Sequence, residues 1–103
     1  MILVAGPYRS GTGDDPDKMA ANVRAMEAYA LPLFRAGHVP VVGEEIFHPV
    51  AERLLKRCDA VLRVGGPSQG ADLMVRVGEQ RGLRIFRRLS EVPGCASIAE
   101  PHA

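Results

Sequence analysis

At 103 residues, with 47% hydrophobic and 24% charged side chains and a formal net charge of +1, the chain has the size and balance of one folded domain. These values exclude a disordered chain and a bulk electrostatic attraction to nucleic acid, and no apolar run approaches the roughly 20 residues of a membrane span. The two cysteines, Cys58 and Cys95, have neither metal-ligand nor redox spacing, and no secretory segment is evident, so a cytoplasmic protein with reduced thiols, no metal and a small-molecule partner is expected.

Met1 to Ala5 is a continuous apolar run without polar alternation, the pattern of a strand covered on both faces of a parallel sheet. A loop to Asp14 follows, and Asp15 with Pro16 predicts the N-cap and first turn of a helix that carries Asp17 where the helix dipole favours negative charge. Met19, Val23, Met26, Ala30, Leu33 and Phe34 recur at helical spacing and form the stripe expected to pack on the sheet. Pro32 should kink or end that helix, and Gly37 reads as its C-terminal cap. His38 to Val42 is a short strand whose Pro40 predicts an edge position. After the connection 43–48, Pro49 opens a second helix with the stripe Val50, Ala51, Leu54, Leu55 and Cys58, and Glu52 with Lys56 on its wet face.

A strand from Ala60 to Val64 breaks into Gly65-Gly66-Pro67, and Ser68 is the expected N-cap of a third helix that ends at Gly82, followed by a strand from Leu83 to Phe86. Strands alternating with helices predict a three-layer α/β sandwich, a parallel sheet of about four strands with Rossmann- or flavodoxin-like crossovers. The loops after the first and third strands then meet where strand order reverses. Residues 1–93 are expected to form the domain and residues 94–103 a flexible tail.

The candidate chemistry lies in those two loops. Gly6 allows close approach, Tyr8 offers a stacking face and a hydroxyl, and Arg9 can hold a phosphate or carboxylate through paired bonds. Ser68 and Gly70 start the third helix, whose N–H groups favour an anion. On that helix Ala71, Met74, Val75 and Gly78 form the apolar side, while Asp72, Arg76 and Glu79 form a solvated, salt-bridged one; about 10 Å separates Asp72 from Glu79, so only Asp72 can reach a ligand in the loop. Glu44, Glu45 and His48 follow the second strand on the same rim, making Glu45 a second candidate catalytic carboxylate. No standard ATPase or dinucleotide loop is present, and the histidines have no metal-ligand spacing.

Taken in order, Leu3-Val4-Ala5-Gly6-Pro7-Tyr8-Arg9, Asn22, Ala36-Gly37-His38-Val39-Pro40-Val41-Val42, Cys58-Asp59-Ala60-Val61-Leu62-Arg63-Val64 and Ser68-Gln69-Gly70-Ala71 resemble the signatures of the nucleoside 2-deoxyribosyltransferase family and its small bacterial relatives. The resemblance implies an enzyme of the N-glycosidic bond, acting by deoxyribosyl transfer or hydrolysis on a nucleoside or nucleotide. Tyr8 would meet the base or sugar, Arg9, Ser68 and Gly70 a phosphate or its equivalent, and Asp72 the sugar or the reacting centre, in a homodimer or higher homo-oligomer without cofactor. The chain departs from the family where its nucleophilic glutamate is expected, because Met74 stands there and a thioether has no negative oxygen to trap an oxocarbenium-like centre. It also lacks part of the segment that relatives carry after Val42. A non-catalytic nucleotide-binding or sensing domain is therefore the alternative, and a phosphoribohydrolase-like enzyme, suggested by Gly65 and Gly66, a further one.

Overall fold

A computed structural model describes residues 1–8, 12–43, 53–98 and 101. Strand β1 (Ile2–Ala5) is followed by helices α1 (Pro16–Glu27) and α2 (Ala30–Arg35), strand β2 (Pro40–Gly43), strand β3 (Ala60–Arg63), helix α3 (Gln69–Gln80), strand β4 (Arg84–Phe86) and a 3-10 turn at Leu89–Glu91. Residues 53–55 are also helical. The sheet is parallel throughout in the order β2-β1-β3-β4, with Leu3 in register with both Val41 and Val61. This is the expected α/β sandwich, and Pro40 begins an edge strand, where its missing N–H leaves no gap in a two-sided ladder.

The layers follow from the crossovers. The step from β1 to β2 runs one way across the sheet and the steps to β3 and β4 run the other, so connections of one hand put their helices on opposite faces. Accordingly Met26 and Leu33 pack with Ile2, Val4, Ala60 and Leu62 on one face. Leu55, Cys58, Ala71 and Val75 pack with Leu3, Ala5 and Val61 on the other. Val4 and Val61 are fully buried, which is why these strands read as unbroken apolar runs.

The helix ends obey local rules. The Asp15 carboxylate accepts from the Asp17 N–H at 2.9 Å, and Pro16 occupies the first turn, where its missing donor is harmless. Both Gly37 (φ +93°) and Gly82 (φ +76°) close Schellman motifs, with His38 N–H donating to Leu33 O and Leu83 N–H to Gly78 O. The interruption caused by Pro32 lies four residues before it, at Ala28, because the proline ring collides with the carbonyl of residue i−4. Phe34 does not join the core: it is 67% exposed, since after that break Leu33 takes the inward position and its neighbour is turned about 100° away.

Beyond β4 the sequence-based expectation of a loose tail from Gly94 needs correction at residues 94–98. Leu89, Val92 and Cys95 are buried and Ile98 packs beside them. Each is three residues after the last, and Val92, Cys95 and Ile98 donate to Leu89, Val92 and Cys95 in successive i→i+3 turns. This segment covers the part of the sheet near Phe86 on the α1–α2 face. His38 Nε2–H fastens it by donating to Pro93 O at 2.8 Å, and Gly94 passes close to Ala36 with φ +85°. Burial pushes the Cys58 and Cys95 thiols above their ordinary range.

Candidate functional site

The two glycine loops meet at the carboxyl ends of β1 and β3, the point where strand order reverses and where open α/β sheets bind ligands. Their contact is direct. Gly65 adopts φ +76°, and a Cβ there would stand 2.6 Å from Pro7 Cδ, so only glycine fits both the backbone and the neighbour. Gly6 is likewise explained by packing, because a Cβ would meet Met26 Cγ at 3.0 Å and Val64 O at 3.1 Å. Its small size lets α1 approach the strand end; it does not open space for a ligand.

Asn22 on α1 donates through Nδ2 to Tyr8 O at 2.8 Å and so fixes the exit of β1. A crevice of about 80 Å³ lies between the loops and this helix, lined by Pro7, Asn22, Met26, Tyr29, Gly65 and Gly66 among others. It is small enough to take one edge of a ring or a single substituent. Tyr8 lies elsewhere, in a wider and shallower groove along the outer side of α1 with Met19, Val23 and Arg24.

Arg63 is the residue that organises the bend after β3, and reading the sequence alone missed it. It is 8% exposed, yet its guanidinium is well provided with acceptors. Nε–H donates to Asp72 Oδ1 at 3.0 Å, Nη2–H to Gly66 O at 2.8 Å, and Nη1–H to Val64 O. One planar fork therefore ties the strand end, the glycine bend and the first turn of α3 together. The available signal was a lone cation closing an otherwise apolar, two-sided strand, because a charge there must find partners.

That fork adds a partner to Asp72: its Oδ1 accepts from Arg63 Nε–H while the side chain remains 56% exposed at the first turn of α3. Ser68 caps α3 as expected, its buried Oγ accepting from the Ala71 N–H at 3.2 Å. Gly66 and Gly70 both have open space where a Cβ would stand, so an incoming group can reach the backbone at the bend and at the first turn of α3. Met74, on α3's apolar side, packs against the core with Ala71 and Val75.

Ser68, Gly70 and Asp72 are thus brought together at the amino end of α3, Gly6 packs against Met26 and Val64, and Tyr8 opens onto the α1 groove. Arg9, Glu44, Glu45, His48, Pro49, Val50, Ala51, Glu52 and His102 lie outside the described residues. Among the described residues no group of three His, Cys, Asp or Glu could hold a metal ion, and no helix is long and apolar enough to cross a membrane.

Fold and site together define a doubly wound parallel α/β domain with a candidate binding end at its topological switch point. No protein-family model matches the chain, and comparison with curated proteins and with solved structures gives no match to either.

Proposed function

We propose that this protein binds a nucleoside or nucleotide, in the manner suggested by its resemblance to the deoxyribosyltransferases, at the open bend between β3 and α3. The observation that carries the reading is the bend itself: Arg63 holds it rigid from beneath, while Gly66 and Gly70 leave its outer backbone open beside the positive end of a helix. An anionic or strongly polar group, such as a phosphate or sugar hydroxyl, suits that end. The adjoining crevice suits the edge of an apolar ring.

Within this reading, binding without catalysis is favoured by the engagement of Asp72 with Arg63 and by Met74 in the family's nucleophile position. N-glycosidic cleavage, by transfer or hydrolysis, is the second reading. Its carboxylate would be Glu45, two residues beyond the end of β2, so the reaction stands or falls with that side chain.

The test is chromatography for free base after incubation with deoxynucleosides and their 5′-monophosphates, with and without an acceptor base, alongside ligand-dependent thermal stabilisation. Stabilisation by a nucleotide that Gly70→Val abolishes, without base release, supports the binding domain. Base release abolished by Glu45→Gln supports the enzyme. Neither stabilisation nor release by any member of the panel refutes both.

A further inference from the structure

His38, Asp59 and Arg84 stand together at the end of the sheet opposite the glycine loops, and the candidate site described above uses none of them. Ile2, Ala60 and Phe86 belong to the core on the α1–α2 face. Arg84 is the register partner of Ala60 and lies two residues before Phe86, so its side chain leaves the sheet on that same face. Its guanidinium carbon sits over the Phe86 ring, 5.1 Å from the centroid. Across from it, the bond from His38 Nε2–H to Pro93 O fixes the turn before β2 against the turns after β4. These residues, with Met1 and Asp59 at the rim, line a pocket of about 130 Å³.

The pocket joins an apolar hollow to a cation without a counter-charge. Ile2, Ala60, Phe86 and Pro93 supply the apolar lining, whereas Arg84 is exposed and no carboxylate among the described residues pairs with it. The carboxylate on the same rim is already engaged, because Asp59 Oδ2 accepts from the Met1 ammonium at 2.6 Å. A guanidinium steadied by an aromatic ring keeps its N–H fork for a planar carboxylate, which it can hold through two parallel bonds. A second negative charge on the same ligand would meet Asp59. The volume is that of about four waters in the liquid, room for the carbon chain of a short acid and for little more.

We propose that this pocket binds a short aliphatic monocarboxylate, its carboxylate on Arg84 at the rim and its chain of about three or four carbons on Ile2, Ala60 and Phe86. The site lies at the amino ends of β1, β3 and β4, away from the bend between β3 and α3, so it stands or falls separately from the nucleotide reading. Its walls come from the sheet, the turn before β2 and the turns after β4, and an occupant therefore ties the C-terminal segment to the strands.

Titration with sodium butyrate up to about 50 mM, followed in proton–nitrogen correlation spectra against sodium chloride at equal ionic strength, tests it. Saturable shifts should centre on the amides of Ile2, Ala60, Arg84 and Phe86, with a Kd of about 1–10 mM for so small a ligand. Arg84→Met, at an exposed position and checked for folding by circular dichroism, should weaken binding about ten-fold or more. Butyramide, which lacks the charge, and succinate, which carries a second one, should both bind more weakly than butyrate. Absence of saturable shifts overturns the proposal, as do shifts centred on Ser68 to Asp72. So does butyrate binding that survives Arg84→Met, or butyramide or succinate binding as tightly as butyrate.

Discussion

Replacing Arg63 by methionine keeps the length of the buried stem while removing every donor of the guanidinium. The largest loss is at Val64 O, a buried acceptor of a charged donor, where about 1.5–3 kcal/mol is expected. Gly66 O sits on an open bend and rehydrates, so its bond contributes about 0.5–1 kcal/mol. Asp72 is half exposed, and its pairing contributes about 0–1 kcal/mol. Part of this is offset because the variant no longer buries a cation, which leaves a net destabilisation of about 2–4 kcal/mol. Urea unfolding followed by far-ultraviolet circular dichroism measures it. Asp72→Asn alone should cost about 1 kcal/mol or less, because two carbonyls still hold the guanidinium, and adding it to Arg63→Met should change little further. An Arg63→Met protein within about 0.5 kcal/mol of wild type, with an unchanged denaturant slope, would refute the idea that this fork holds the bend together.

Gly65→Ala and Gly82→Ala share φ +76°, so each should lose about 1–2 kcal/mol in equilibrium unfolding from the left-handed backbone. Gly65→Ala should lose at least about 1 kcal/mol more, because only its Cβ strikes Pro7; equal losses would deny the loop contact. Leu89→Ala, at a fully buried position, should destabilise by about 2–5 kcal/mol in the same assay; a loss near zero would deny that the turns after β4 are packed on the sheet. Hydrogen bonds from the Arg87 and Arg88 N–H groups hold the Glu91 carboxyl below its ordinary range. Its folded-state pKa is therefore depressed, so its contribution is present above the ordinary glutamate range and lost as pH falls through the folded value. Stability measured against pH should accordingly lose part of its acid-side slope in Glu91→Gln; an identical slope would remove the group from the linkage.

The local architecture was legible because it depends on short-range rules. Two-sided apolar runs marked β1 and β3, Asp15 and Ser68 marked helix starts, and Gly37 and Gly82 marked their ends, since caps and left-handed turns are set within a few residues. Pro40 even disclosed its edge position, because a missing N–H has a consequence wherever the strand lies. The packing beneath residues 94–98 was written in the three-residue spacing of Leu89, Val92, Cys95 and Ile98, but that spacing suits a chain of turns that no regular element predicts.

Partnership across the sheet was decided by the tertiary structure alone. Nothing in the sequence says that Gly6 yields its side-chain space to Met26 and Val64, that Pro7 presses on Gly65, or that Asp72 answers Arg63 in preference to Arg76. These pairings join residues from different elements, and their distances exist only after the strands are ordered and the helices assigned to faces. The sequence by itself determined the described strands, helices α1 and α3 with their caps, and that the glycine loops would share one end of the sheet. Packing and the demand of a buried cation for acceptors then determined which of those loop residues hold the structure and which remain open to a ligand.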